Sequence, residues 1–166
     1  EVLNEIFPPG VVNVIVGSSP EVGSALVDTK DVNMISFTGS SQVGAKIMEA
    51  GGKTMKRLLM ELGGKGALIM TEDCDVQAAV GGIASVWGFH SGQICTAPTR
   101  VICHREIYDS TIEALSAVSE FMTVGDAREE ATLVGPVITE SHRDRVEAFI
   151  QSGIDDGAEV IVGGDR

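Results

Sequence analysis

Apolar positions along the chain alternate between two periods. Val11–Val16 is a β-branched run behind Pro8-Pro9-Gly10 and predicts a buried strand. After Pro20 the residues Val22, Ala25 and Leu26 take helical spacing. Met34–Phe37 predicts a second strand, and Val43, Ile47 and Met48 then share one face of a helix. Leu58–Met60 opens a third strand-like run. Beyond Gly63-Gly64 the alternation resumes with a strand at Ala67–Met70. The next helix carries Val76, Ala79, Val80, Ile83 and Trp87, with Asp73 or Asp75 as its cap. Arg100–Cys103 predicts a strand, and Tyr108, Ile112, Leu115, Val118 and Met122 a helix. Val146, Phe149, Ile150 and Ile154 mark a last helix, and Val160–Val162 a last strand before Gly163-Gly164. Strands that alternate with helices build parallel sheets, so the fold class is α/β.

The ends change this picture. Glu1–Ile6 reads as part of a helix whose beginning is not visible, and the chain stops one turn signal after a strand. Parallel strands need neighbours, and unpaired edges are exposed. The expectation is therefore a central fragment with both sheets incomplete.

Composition excludes several classes. A formal net charge of −12 repels phosphate backbones, so no nucleic-acid partner is expected. No apolar run reaches the length of a membrane span. Three cysteines, Cys74, Cys95 and Cys103, follow no repeating pattern and do not suggest a disulfide framework. A reducing compartment, the cytoplasm, is the default.

Three segments carry candidate chemistry. In Met60-Glu61-Leu62-Gly63-Gly64-Lys65 a carboxylate ends an apolar strand and two glycines follow, which allow a sharp turn and close approach of a ligand. Glu61 is placed to act as a general base, or else is a surface glutamate at a strand-turn junction. In Gly92-Gln93-Ile94-Cys95-Thr96 a cysteine sits in a small polar loop, the setting of a nucleophile rather than of a core thiol. Cys103, inside an apolar strand, and Cys74, in an acidic turn, read as small hydrophobes. In Phe37-Thr38-Gly39-Ser40-Ser41-Gln42-Val43-Gly44 a strand ends, a glycine turns and a helix begins. Such a helix N-terminus can hold phosphate, although Ser40 can equally be a simple N-cap. No G-x-G-x-x-G fingerprint occurs.

Taken together and in this order, the three segments resemble the aldehyde dehydrogenase superfamily. Pro8–Asn13, Thr96–Arg100 and Gly135-Pro136 extend the resemblance over essentially the whole chain. It implies an NAD(P)-dependent oxidoreductase with a small-molecule aldehyde as substrate. Residues 1–62 would be the C-terminal part of a Rossmann-like cofactor domain, and residues 63–166 the N-terminal part of an α/β catalytic domain. Cys95 would attack the aldehyde, hydride would pass to the nicotinamide, and a water activated by Glu61 would hydrolyse the thioester. The Cys95 N–H would help to hold the oxyanion. Gly39 and Ser40 would face the cofactor pyrophosphate, Val43 the adenine and Leu62 the nicotinamide, with Pro20 and Gly23 bordering the adenine. A homo-oligomer is implied for the parent protein. Further family contacts lie on segments before residue 1 and after residue 166, so the chain by itself is expected to be inactive.

Three positions depart from the family pattern: Gly88 where a bulky residue is common, His90 where asparagine is frequent, and Gly66 where glycine is rare. His90, Cys95, Cys103 and His104 follow no familiar metal-ligand spacing, so no metal is expected. Trp87 and Phe89 read as a core stripe, and Glu140, Arg143, Asp144 and Arg145 as a solvated helix face. Two other functions remain: a CoA-acylating relative, which usually lacks the glutamate, and a non-catalytic scaffold, which would be free to lose Cys95 or Glu61.

Overall fold

The computed structural model describes residues 2–165 and divides into two compact units, one ending at Gly63 and the other beginning at Gly64. Each is a β-α-β unit.

The first unit holds α1 (Val2–Ile6), α2 (Pro20–Asp28), β1 (Met34–Gly39), α3 (Ser41–Gly52) and β2 (Arg57–Leu62). Proline at the first position of α2 costs no hydrogen bond, and Ser19 Oγ accepts the Glu21 N–H at 3.1 Å. The crossover α3 makes β1 and β2 parallel, with Met34 level with Arg57, Thr38 with Glu61 and Gly39 with Leu62. One sheet face carries Ile35, Phe37, Leu58, Met60 and Leu62, all half-buried. Buried Gly44 and Gly51 let α3 lie close on that face: a Cβ on Gly44 would come within 2.7 Å of Leu62 Cδ2, and one on Gly51 within 3.2 Å of Leu58 Cδ2. The buried face of α3 is thus Gly44, Ile47 and Gly51, whereas Val43 and Met48 of the expected stripe are exposed. Lys56 is buried, its Nζ donating to the Thr29 carbonyl at 2.5 Å and so fastening the end of α2 to the start of β2.

The second unit holds β3 (Ala67–Met70), α4 (Val76–Gly88), β4 (Arg100–Cys103), α5 (Tyr108–Glu120) and α6 (Glu140–Asp155), with short 3-10 turns at Phe89–Gly92 and Arg105–Ile107. The strands β3 and β4 are parallel, Ala67 level with Arg100 and Met70 with Cys103. Asp75 caps α4, its Oδ1 accepting the Ala78 N–H at 3.0 Å, while Asp73 is occupied by the Thr71 hydroxyl. That hydroxyl holds the Asp73 carboxyl below its usual range. Val80, Ile83 and Met70 form the core with Ala97 and Ala114. The charged face of α6 is solvated, Arg143 pairing with Glu140 and Asp144 at 2.9 Å each.

Two expected strands are absent. Val11–Val16 and Val160–Val162 are irregular, and Val14, Ile15 and Val16 are 83, 64 and 88 % exposed. Among the described residues no strand pairs with either run, and without a ladder a β-branched run does not become a strand. Phe89 also leaves the expected core stripe: it lies past the end of α4 and is 60 % exposed. Among the described residues no helix is long and apolar enough to cross a membrane.

Candidate active site

Three of the cofactor candidates meet in one cavity of the first unit. Pro20 and Gly23 of α2 and Val43 of α3 line a space of about 530 Å³ that is floored by Ile35 and Phe37 of β1. Its walls are mostly apolar, with Ser24, Asp28 and Lys46 as polar members. A Cβ on Gly23 would meet nothing within 4 Å, so a side chain here would take up room that the cavity leaves open. The cavity therefore fits a flat apolar group with a few polar edges.

Gly39 and Ser40 form the junction between β1 and α3. A Cβ on Gly39 would come within 2.5 Å of the tip of the Phe37 ring, so a side chain here would displace that ring. Ser40 caps α3: its Oγ accepts the Val43 N–H at 3.3 Å and its carbonyl the Gly44 N–H at 2.9 Å. The N–H groups of Ser41 and Gln42 remain as the leading donors of the helix, suited to an anion. Leu62, on the next strand, turns toward α3 and packs over Gly44.

Glu61 stands beside this junction. It pairs with Thr38 across the sheet, at the C-terminal ends of both strands, where open α/β sheets bind ligands. Alternation puts it on the exposed face with Leu59, away from α3 and hence from the cavity.

In the second unit the tail of the glutamate segment meets the cysteine loop. A Cβ on Gly64 would lie 3.6 Å from the Cys95 carbonyl oxygen. The Arg100 guanidinium donates to the Lys65 carbonyl through Nε and Nη2, at 3.2 and 3.0 Å, and the Arg100 N–H donates to the Gly66 carbonyl at 3.2 Å. A Cβ on Gly66 would come within 2.8 Å of the Ala97 carbonyl, so glycine at this unusual position permits close packing of the two segments.

Cys95 itself sits on a tight turn. The Ile94 N–H donates to Gly92 O and the Ala97 N–H to Ile94 O, both at 3.1 Å, and the next residue pair closes with Thr99 N–H to Ala97 O at 2.8 Å. Ala97 is buried and anchors the turn, while Cys95 is exposed; Cys74 and Cys103 are half-buried. Upstream, His90 and Ser91 have φ of 50° and 55° and Gly92 of 72°, three left-handed residues in succession. His90 belongs to the residue types that enter this region most readily, as does asparagine. Gln93 returns to His90, its Nε2 and its N–H both donating to the His90 carbonyl at 3.1 Å. Ser91 Oγ donates to the Gly135 carbonyl at 2.7 Å.

His104 is engaged elsewhere. Its Nδ1 accepts the Glu106 N–H at 3.4 Å and its Nε2 lies 3.6 Å from Glu72.

The first unit is thus a β-α-β arrangement with an apolar cavity beside the start of α3, and the second presents an exposed thiol on a tight turn. The family model for the aldehyde dehydrogenase family matches residues 1–166, and the chain belongs to that family. It is 40 % identical over 159 residues to the mitochondrial succinate-semialdehyde dehydrogenase of Arabidopsis thaliana, covering 96 % of this chain and 30 % of that protein. It is 40 % identical over 158 residues to phenylacetaldehyde dehydrogenase of Pseudomonas fluorescens, covering 95 % and 32 %. Among solved structures, an NAD+ complex of an aldehyde dehydrogenase from Bacillus cereus superposes with a TM-score of 0.92 at 36 % identity, over 96 % of this chain and 33 % of that one. The chain thus spans about a third of the length of the relatives that it matches.

The tether from Ser91 to Gly135, the left-handed run before Cys95 and the Arg100–Lys65 bonds escaped sequence reasoning. Only His90, a residue type that tolerates left-handed backbone, signalled any of them.

Proposed function

We propose that this chain carries the nucleophile and the base of an NAD(P)-dependent aldehyde dehydrogenase that converts a small aldehyde into a carboxylic acid. The observation that carries this reading is Cys95, an exposed thiol held on a short hydrogen-bonded turn beside Gly64 of the glutamate segment. Exposure on a fixed turn is what a thiolate nucleophile requires.

Cys95 Sγ bonds to the aldehyde carbon, and the carbonyl electron pair moves to oxygen, where the Cys95 backbone N–H donates to the oxyanion. When bound, NAD or NADP supplies the acceptor for the hydride. The remaining steps belong to the chain. Glu61 takes a proton from water, the hydroxide adds to the thioester carbonyl, and the C–S bond breaks to release the acid and the Cys95 thiolate. Pro20, Gly23 and Val43 would enclose the adenine, Gly39 and Ser40 would face the pyrophosphate, and Leu62 the nicotinamide. The apolar cavity and the leading N–H groups of α3 support these roles. The three cysteines are free thiols, which supports a reducing compartment, the cytoplasm. Glu61 favours hydrolysis over acyl transfer to CoA, since a thioester that must wait for CoA is endangered by a base beside it.

The test is Glu61→Gln in the full-length gene product. The first turnover of reduced cofactor should survive as a burst, and steady-state turnover should fall roughly 10²- to 10⁴-fold, the usual worth of a general base. An unchanged steady-state rate would remove Glu61 from the reaction, and a burst that persists in Cys95→Ala would remove Cys95.

A further inference from the structure

Cys95 is carried by backbone that would not hold its shape unaided. His90 and Ser91 are non-glycine residues in the left-handed region, with ψ of 33° and 37°. Such residues persist there only where their surroundings over-determine them. Two sets of contacts meet at this run. Gln93 closes it locally onto the His90 carbonyl. Ser91 closes it over a distance of 44 residues, onto the Gly135 carbonyl.

The acceptor is itself fixed. Thr123 Oγ1 bonds to the Ala131 carbonyl and accepts the Leu133 N–H at 3.2 Å. The Leu133 and Val134 N–H groups both donate to Thr123 O at 3.0 Å, and the Gly125 N–H donates to Val134 O at 3.1 Å. Pro136 disfavours the helical region for the preceding Gly135. Gly135 lies against Ala127 and Ser91: a Cβ there would be in ordinary contact with Ala127 Cβ at 3.5 Å and Ser91 Oγ at 4.0 Å. A hydrogen-bonded loop therefore offers one carbonyl to one hydroxyl four residues before Cys95.

We propose that Ser91 is a positioning residue for Cys95: its bond to the Gly135 carbonyl aims the turn that presents the thiol to the aldehyde carbon. This rests on the dehydrogenase reading above. Ser91 touches neither substrate nor cofactor in this role. It acts through the backbone of residues 90–95, and attack on a bound carbonyl is sensitive to small displacements of the nucleophile. Labelling by a small freely diffusing reagent depends instead on exposure and thiolate character, which the tether leaves alone.

The experiment follows the first turnover of reduced cofactor in the full-length gene product, with alkylation of Cys95 by iodoacetamide measured in parallel. Ser91→Ala removes the hydroxyl. Ser91→Gly removes it and also relieves the left-handed backbone, so it separates the tether from strain. Ser91→Asn keeps a donor and tolerates that backbone. Alanine and glycine should both slow the burst roughly two- to tenfold, the worth of one neutral hydrogen bond, with Cys95 labelling unchanged. Asparagine should restore the burst to within about twofold of wild type, because it again offers a donor. A glycine variant as fast as wild type overturns the proposal. So does a fall in labelling that matches the fall in the burst, which would mean that the loop has collapsed. A wild type that forms no reduced cofactor with any aldehyde overturns the dehydrogenase reading and this inference with it; a wild type that reduces cofactor with an idle Ser91 overturns the inference alone.

Discussion

Gly23 offers a perturbation in which stability and cofactor binding move in opposite directions. It lies within α2 on the wall of the cavity, it is exposed, and a Cβ there meets nothing within 4 Å. Leucine is close to the best helix formers, and glycine is about 0.8–1.0 kcal/mol worse than alanine in a helix interior. Gly23→Leu should therefore stabilise α2 by somewhat less than about 1 kcal/mol, which for a full-length protein with domains of 150 residues or more raises Tm by roughly 2–4 °C. The same side chain projects into the space proposed for the adenine. Excluding a group whose full burial contributes about 1.5–3 kcal/mol weakens binding roughly ten- to hundredfold. The assays are thermal unfolding without cofactor, and titration of the full-length gene product with NAD and NADP. A variant that gains stability and loses cofactor affinity supports the cavity as the cofactor site. Undiminished affinity for both cofactors would refute it, and the rise in Tm would rule out misfolding as an excuse.

Two further outcomes are expected. Iodoacetamide should modify Cys95 before Cys74 and Cys103, because it alone of the three is exposed; peptide mapping reads the order, and earlier modification of either half-buried thiol would count against the nucleophile. Asp126 is held below the ordinary carboxylate value of 3.8, chiefly by the hydrogen-bonded Arg128 side chain, whose own guanidinium is raised by the same contact. A depressed carboxylate stabilises the loop fully above the unfolded value and loses that contribution as pH falls through the lower folded value. The carboxyl resonance of Asp126 should thus titrate below 3.8 and move back toward 3.8 in Arg128→Ala; an unmoved inflection would contradict the pairing.

Which elements were legible in the sequence follows from how local their causes are. Ala67–Met70 and Arg100–Cys103 were readable to the residue because each is a short apolar run bounded by turn residues and paired with a partner that the chain contains. Val11–Val16 is likewise a short, mostly apolar run but has no such partner among the described residues, and apolar character alone does not distinguish the two. Asp73 and Asp75 were equivalent cap candidates until geometry gave Asp73 to Thr71. The buried face of α3 was misread because the contacts that matter are made by Gly44 and Gly51, which have no apolar side chain to register as a stripe. At the site, Glu61, Cys95 and Gly39-Ser40 stood out by residue type and flanking glycines. Ser91 did not, because its meaning lies in a carbonyl 44 residues away.

The central claim is that Cys95 becomes acylated and that Glu61 directs the water that frees it. Its most direct test is mass spectrometry of the Glu61→Gln full-length gene product, quenched after mixing with a simple aldehyde and NAD or NADP. The account predicts an acyl adduct on the peptide that contains Cys95, formed only when cofactor is present and accumulating well beyond the level in wild type. An adduct on the Cys74 or Cys103 peptide, or none on Cys95 while the acid is still produced, would contradict it.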